Sequence, residues 1–320
     1  MKLHIIGKGS CQIEDFDLQD LEDGISINTK LLKTSLPRNL KRLSGRLAKM
    51  VYHAAAEAIT DAGYSNIENL PVIYGSAMSE IDSGRQLISQ IYESSGASIS
   101  PTLVQNSVHN APAGFLSIGF NITAPVMTVC GSFLSGEAVL DYAFTFLATS
   151  SYREVLVISG DQYRSHWSSL LEGCQLSHLA RELKEMNFME GISALLLSQD
   201  GAGKQDYGYI KEAAVIHLAK EDILSKELLN EFNFFIGPET QIVIRDFCQD
   251  RIDSPVELAE LLEIPLDRIH LITKEMGTSL TFPISNIINY KTTHKSQDLL
   301  FLSGEFDDIA IVHYHLEAFL

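Results

Sequence analysis

The sequence has little of what a secreted, zinc-binding or membrane-spanning protein requires. It contains four cysteines, with no C-x-x-C pair among them: Cys11, Cys130, Cys174 and Cys248. This spacing predicts neither a zinc site nor a disulfide framework, and it favours a reducing cytoplasm. No apolar run approaches the roughly 18 residues that a spanning helix needs, and the start, MKLHIIGKGS, is too short and too interrupted for a signal sequence. We therefore expect a soluble, cytoplasmic chain with no membrane span.

Positive charge is also scarce. Lys and Arg number 24 against 41 Asp and Glu, which gives a net charge of −17. A field of this sign repels nucleic acid, so we expect no nucleic-acid partner. One segment, from Gly24 to Ala56, has no acidic residue and carries the basic residues Lys30, Lys33, Arg38, Lys41, Arg42, Arg46 and Lys49. Such a run is either a solvated helix face or a docking surface for an acidic partner.

The composition is that of a folded chain, with 320 residues of which 45% are hydrophobic. At roughly 150 residues per domain this length suggests about two structural units. Short apolar runs alternate along the chain with segments of helical periodicity. The apolar runs predict strands at 3–6 (a short edge strand), 72–74, 126–129, 155–159, 194–198, 209–217, 241–245, 299–303 and 309–315. Helices are predicted at 38–62, 83–92, 110–119, 136–148, 222–231, 255–262 and 283–290. The fold class is α/β, in helix–sheet–helix layers, with two halves that divide near residue 200.

The segment from Thr128 to Gly136 places Cys130 between an apolar strand and a long helix. A thiol beside the N–H groups of a helix N-terminus has a lowered pKa and a raised thiolate fraction. The same turn can offer an N–H to a developing oxyanion. The alternative is a structural role, because cysteine is among the most frequently buried residues.

These residues resemble the nucleophile corner of β-ketoacyl synthases of the thiolase superfamily. Further segments carry the resemblance in the first half: the basic helix 37–49, Ser107–Gly114, Val155–Asp161 and Glu190–Leu197. The N-terminal half has features of chain-length factors. The C-terminal part is most similar to class III ketoacyl synthases, in Ile264–Ile269, Gly277–Ser279 and Leu299–His315.

The resemblance implies a thiolase fold, with two duplicated βα halves in α-β-α-β-α layers over residues 1–200 and 201–320. It implies an acyltransferase that takes an acyl group from an acyl carrier protein or acyl-CoA onto Cys130, in fatty-acid, polyketide or related secondary-metabolite biosynthesis, with no cofactor. It also implies a homodimer, or a heterodimer with a ketosynthase subunit, formed through strand 155–159 and helix 109–119. Carrier docking is expected at Lys41, Arg42 and Arg46.

Three positions depart from the class III pattern. That pattern has a histidine in an H-Q-A-N-x-R-I-like segment and an asparagine in a G-N-T-S segment. The matching positions are Asp246 and Gly277, and the glycine-rich oxyanion turn is reduced to Ser303–Phe306 around Gly304. An ionised carboxylate cannot donate a hydrogen bond to an oxyanion, so ordinary decarboxylative condensation loses its usual electrophilic help. Gly304, Asp246 and Gly277 are therefore candidate residues of the oxyanion site or its surroundings.

Another histidine has to replace the missing one if the chain is catalytic. His109 is the first candidate, since it belongs to the Ser107–Gly114 segment. The other candidates are His166, His178, His313 and His315. A single histidine is more often structural than catalytic.

Two hypotheses remain open at this point. Retention of Cys130 favours an acyl-transferring enzyme, with condensation by atypical partners or with transfer alone. The loss of the histidine and asparagine favours a non-condensing subunit, comparable to a chain-length factor, that shapes the tunnel of a catalytic partner. The two also combine, if Cys130 holds an acyl chain while a partner subunit supplies decarboxylation.

Overall fold

The computed structural model describes residues 1–12, 18–21, 24–27, 36–96, 98–131, 134–162, 190–201, 206–218, 224–245, 255–272, 297–305 and 308–316. The strands are β1 (Leu3–Gln12), β2 (Leu18–Leu21), β3 (Gly24–Ile27), β4 (Val72–Gly75), β5 (Val126–Val129), β6 (Glu154–Asp161), β7 (Gly191–Ser198), β8 (Gly208–His217), β9 (Gln241–Arg245), β10 (Ile269–Ile272), β11 (Gln297–Glu305) and β12 (Asp308–Leu316). The helices are α1 (Arg38–Leu43), α2 (Arg46–Ala62), α3 (Ile81–Glu93), α4 (Pro101–Asn106), α5 (Ala111–Phe120), α6 (Ser135–Thr149), α7 (Lys226–Glu231) and α8 (Pro255–Leu261). The predicted α/β class is confirmed.

Ten of these strands form one sheet, in the order β10-β9-β11-β12-β8-β1-β7-β6-β4-β5. The order β5-β4-β6-β7-β1 in one half repeats as β10-β9-β11-β12-β8 in the other. Parallel and antiparallel pairings repeat as well, since β6–β4–β5 and β11–β9–β10 are parallel while β7 and β12 run antiparallel to their neighbours. The two halves are joined where Leu3 and His4 of β1 pair with Ile210 and Tyr209 of β8.

The helices complete five layers. On the outer face of the first half, α2 packs over β1 and β7 and also against α5. The central layer is α6, whose apolar residues pack against strands of both halves. On the outer face of the second half, residues of α7 and α8 pack over β9, β11 and β12. This is the duplicated α-β-α-β-α arrangement expected from the sequence. The boundary between residues 200 and 201 stays a prediction.

Two glycines allow α2 to lie close to β1. A Cβ at Gly7 would lie 2.4 Å from the carbonyl oxygen of Ala58, and one at Gly9 would lie 2.1 Å from that of Ala54. Both distances are shorter than a van der Waals contact. The Gly7-Lys8-Gly9 sequence therefore serves helix–strand packing.

The structure corrects three of the sequence-based expectations. The strand predicted at 3–6 is longer and lies inside the sheet, between β7 and β8. The predicted dimer contact through 155–159 is wrong, because β6 is paired on both sides, with β4 and β7. The end strands of the ten-stranded sheet are β5 in the first half and β10 in the second. The helix predicted over 38–62 is broken at Ser44 and Gly45, where the backbone is extended and the Gly45 N–H donates to the Asn106 side chain at 3.0 Å.

The predicted helix at 283–290 lies outside the described residues. Within the part of the chain that the structure describes, no helix is both long and apolar enough to cross a membrane.

Candidate active site

Cys130 directly follows β5 and precedes α6, as the sequence predicts. β5 runs parallel to β4, and β4 runs parallel to β6, so the carboxyl ends of these three strands meet at one edge of the sheet. Polar residues that follow parallel strands at this edge are brought together in open α/β sheets. The site is therefore built from the segments that follow β4, β5 and β6.

His109 lies beside Cys130. Its Nδ1 is 3.4 Å from the Cys130 Sγ, which is within hydrogen-bond distance for sulfur. His109 lies in the turn between α4 and α5, and both it and Cys130 are exposed. The thiol also lies 3.3 Å from the carbonyl oxygen of Ser76, a second acceptor for its proton. Of the histidines proposed from the sequence, this is the one that the described structure brings to the cysteine.

The environment of Cys130 does not lower the pKa of its thiol. Partial burial of the sulfur raises this pKa above the ordinary value of 9.0, and the nearby Asp161 carboxylate raises it further. The expected activation by the helix N-terminus is therefore wrong. One N–H of the corner, that of Gly131, donates instead to the Ser135 side chain at 2.9 Å. The thiol is neutral near pH 7 and needs a base to ionise it.

Asp161 is the buried charge of the site, with 1% of its surface exposed. It lies at the end of β6 and accepts hydrogen bonds from the turn 76–79 that follows β4: from the Ser76 hydroxyl and from the backbone N–H groups of Ala77, Met78 and Ser79. Burial raises the pKa of Asp161, while these hydrogen bonds oppose the rise. Several donors pointing at one carboxyl group favour its ionised form.

Ser303 connects the second half of the sheet to α6, the helix that follows Cys130. The Ser303 hydroxyl on β11 donates to the Glu137 carboxylate of α6 at 2.6 Å, and both side chains are buried. Gly304 is the next residue of β11, where it pairs with Ile309 of β12. Ser303–Glu305, which the sequence predicts as part of a reduced oxyanion turn, therefore lie in a regular strand. Asp246 and Gly277 lie outside the described residues.

Two other histidines proposed from the sequence are engaged elsewhere. His313 lies 2.9 Å and His315 lies 3.6 Å from the Asp298 carboxylate, which also accepts from Thr240 and Lys211. Burial opposes ionisation of Asp298, but the hydrogen bonds from His313, Lys211 and Thr240 hold its pKa well below the usual range. His313 and His315 are therefore part of a charge cluster around Asp298. His166 and His178 lie outside the described residues.

The basic segment divides into an exposed part and a buried part. Lys41 and Arg42 are exposed on α1. Arg46 instead forms a two-bonded ion pair with Glu190, whose side chain is 0% exposed. The expected docking role of Arg46 is wrong, because its guanidinium already holds a buried carboxylate. Lys30 and Lys33 lie outside the described residues.

Ser76, Ser79 and Asp161 are site residues to which sequence reasoning gave no role. The signal that pointed to them was weak: a serine pair directly after the strand 72–74, and an aspartate at the end of VLVISGD. Their relevance depends on which strands are neighbours, and the sequence does not give strand order.

Part of the chain matches a known family model. Residues 26–178, which include His109 and Cys130, match the family model of the beta-ketoacyl synthase, N-terminal domain. No curated protein sequence matches the chain.

Solved structures that are similar over nearly the whole chain include the following ketosynthase-related proteins. The ishigamide ketosynthase/chain length factor has a TM-score of 0.77 at 15% identity and covers 99% of this chain and 100% of that one. A type II polyketide synthase acyl-carrier protein in complex with its ketosynthase bound to the hexaketide gives 0.69 at 11% identity, with 98% and 99% covered. The 3-oxoacyl-(acyl-carrier-protein) synthase III from Aquifex aeolicus VF5 gives 0.55 at 14% identity, with 98% and 99% covered.

The fold is therefore the thiolase fold of the ketosynthases. The chain is ketosynthase-like in fold, and its residues 26–178 match the model of the β-ketoacyl synthase N-terminal domain. The resemblance read from the sequence is confirmed.

Proposed function

We propose that the protein takes an acyl group from a carrier thioester onto Cys130, with His109 as the base. The observation that carries this proposal is the 3.4 Å distance between the Cys130 Sγ and the His109 Nδ1 at the end of β5. A nucleophile within reach of a base is the arrangement that covalent acyl transfer requires. The raised pKa of the Cys130 thiol makes a base necessary, because little thiolate forms at neutral pH without a base.

The proposed step is a thioester exchange. The Cys130 thiol gives its proton to the Nδ1 of His109 as the sulfur attacks the thioester carbonyl. The tetrahedral intermediate then collapses, the bond to the carrier sulfur breaks, and His109 returns the proton to the leaving thiolate. The products are an acyl-Cys130 thioester and the free carrier thiol.

Decarboxylative condensation is not part of the proposed activity of this chain alone. At the positions where class III enzymes have histidine and asparagine, the sequence has Asp246 and Gly277. An ionised aspartate accepts hydrogen bonds only, and glycine has no side chain to donate one. The electrophilic help for an enolate would then come from a partner subunit.

For the carrier we propose a docking surface at Lys41 and Arg42 on α1. Both are exposed, and the carrier proteins of this family's pathways are acidic. Exposed charge pairs guide encounter and weaken as salt rises. One similar solved structure contains a ketosynthase in complex with its acyl-carrier protein, which supports an acyl carrier protein as the proposed partner.

For assembly we propose a dimer through the β5 edge, with a second copy or with a ketosynthase subunit. β5 lies at one end of the ten-stranded sheet. Val104 of α4, Val108 between α4 and α5, and Ile118 within α5 are 47%, 49% and 60% exposed. Exposed apolar residues near an open strand edge are typical of an interface. We further propose a cytoplasmic location, since the four widely spaced cysteines of the sequence suit a reducing compartment.

A second candidate function is the non-condensing partner subunit. The ishigamide ketosynthase/chain length factor, which superposes with a TM-score of 0.77, favours it. In that case the chain shapes the tunnel of a catalytic partner, and Cys130 carries no acyl group.

Intact-protein mass after incubation with acyl carrier protein or acyl-CoA thioesters separates the two functions. Acyl transfer predicts one acyl adduct per chain, absent in Cys130→Ala. The matched control is Cys11→Ala, which changes a buried thiol and should leave the adduct in place. A wild-type chain that gains no adduct, but supports activity of a partner ketosynthase equally well as Cys130→Ala, establishes the partner subunit instead.

A further inference from the structure

We propose that Asp161 is a positioning residue, which fixes the turn 76–79 and through it places both Cys130 and His109. The inference rests on the proposed function, in which these two residues form the reacting pair. It concerns a residue that touches neither the substrate nor the reacting sulfur directly.

The first step of the argument is that one carboxylate organises the whole turn. One oxygen of Asp161 accepts from the Ser76 hydroxyl, from Met78 N at 3.0 Å and from Ser79 N at 2.8 Å, and the other accepts from Ala77 N at 2.9 Å. The Ser76 hydroxyl oxygen also accepts from Ser79 N at 2.7 Å. Buried polar groups of this kind fix a unique conformation when all are satisfied.

The second step is that the turn holds a conformation it would not keep by itself. Ser79 has a φ of 43°, in the left-handed region that residues other than glycine rarely adopt. Such a conformation persists only where its surroundings hold it. Here the backbone N–H of Ser79 is held by Asp161 and Ser76.

The third step is that the turn contacts both members of the pair. Its first residue presents the Ser76 carbonyl oxygen 3.3 Å from the Cys130 Sγ. Its last residue donates the Ser79 hydroxyl to the backbone carbonyl of His109 at 2.9 Å. One carboxylate thus connects, through a single turn, to the nucleophile on one side and to its base on the other.

The negative charge of Asp161 and its hydrogen bonds to the turn have opposite effects on the reactivity of the Cys130 thiol. As a nearby negative charge it raises the pKa of Cys130, so removing only the charge would make the thiol more reactive. Removing the hydrogen-bond acceptor would loosen the turn and slow the reaction. The sign of the effect therefore separates positioning from electrostatics.

The test measures iodoacetamide labelling of Cys130 at pH 8 by peptide mass, together with the acylation rate, in Asp161→Asn and Ser79→Ala. Positioning predicts that Asp161→Asn slows both reactions about 10- to 100-fold, since misplacement of a catalytic pair by about 1 Å has effects of this order. Ser79→Ala, which keeps the carboxylate and loses the link to His109, should also slow both, by a smaller factor. Ser117→Ala is the matched control, because it removes a hydroxyl that donates to a backbone carbonyl at the same 2.9 Å, within α5.

The double variant and the folding controls complete the design. If both residues act through one turn, Asp161→Asn/Ser79→Ala reacts no more slowly than Asp161→Asn alone. Faster labelling in Asp161→Asn, or losses that multiply in the double variant, overturn the proposal. If thermal unfolding shows that Asp161→Asn is not folded, the test depends on Ser79→Ala alone. Unchanged rates of labelling and acylation in Ser79→Ala then overturn the proposal. The wild type could fail to acylate while iodoacetamide labelling still slows in the variants as predicted. That result would refute the proposed function and leave the positioning role of Asp161 supported.

Discussion

Among single residues, Cys130 has the property that most constrains the chemistry. Partial burial of the sulfur and the Asp161 carboxylate both raise the pKa of its thiol. A cysteine at a helix N-terminus usually has a lower pKa than this, because the N–H groups stabilise the thiolate. Here the sulfur faces the Ser76 carbonyl oxygen, which stabilises the neutral thiol instead. In the proposed mechanism the thiol therefore depends on His109 as its base at neutral pH.

The pH dependence of labelling follows from this direction of shift. The titratable groups that face the sulfur are His109 and Asp161. Because the thiol pKa is raised, iodoacetamide labelling of Cys130 in His109→Gln should keep increasing above pH 9. A rate that levels off below pH 8 would show a stabilised thiolate and contradict the account.

Arg46 and Glu190 show how burial decides the role of a basic residue. We expect Arg46→Met to lower the free energy of unfolding by about 3–5 kcal/mol, because it leaves the buried Glu190 carboxylate without the guanidinium. Lys41→Met, on the exposed part of the same segment, should change it by less than about 0.5 kcal/mol. Denaturant unfolding of the two variants measures the difference, and equal midpoints would show that the pair contributes no stability.

Among the helices and strands, the contact between α2 and β1 depends on glycine. Gly9→Ala would place a Cβ 2.1 Å from the Ala54 carbonyl oxygen, so the helix must move, at a cost of about 1–3 kcal/mol. Gly84→Ala is the control within α3, where nothing lies within 4 Å of the added Cβ. It should stabilise the protein by about 0.5–1 kcal/mol, since glycine in a helix is less favourable than alanine. Thermal unfolding that moves both variants in the same direction would be inconsistent with this packing.

Much of the element order could be predicted from the sequence, but little of the site. The strands 126–129 and 241–245 and the corner that holds Cys130 follow from local apolar runs and are confirmed. The break at Gly45 and the inner position of β1 depend on tertiary contacts, which local patterns do not record. The closeness of Asp161 to the turn 76–79 depends on β6 lying next to β4. Placing His109 beside Cys130 required the resemblance to a family as well as the residues themselves.

For the whole molecule, the position of β5 at one end of the sheet, within the part of the chain that the structure describes, makes the oligomeric state a direct prediction. We expect wild type to form a dimer with itself or with a ketosynthase subunit, and Ile118→Asp to weaken it, because a charge would enter the proposed apolar interface. Val256→Asp on α8 is the control, since Val256 is similarly exposed, at 51%, but lies in the other half. Light scattering of the purified protein, alone and with its partner, measures this. A wild type that stays monomeric at micromolar concentration with no co-purifying subunit would contradict the assembly.

The central claim is that His109 and Cys130 form a reacting pair. Its most direct test is the single-turnover rate of acylation of Cys130 in His109→Gln compared with wild type, with thermal unfolding as the folding control. We predict a loss of about 100-fold or more at pH 7, which is the usual contribution of a general base, with the unfolding temperature unchanged. An acylation rate equal to that of wild type would show that His109 is only a neighbour of Cys130, and the proposed mechanism would be wrong.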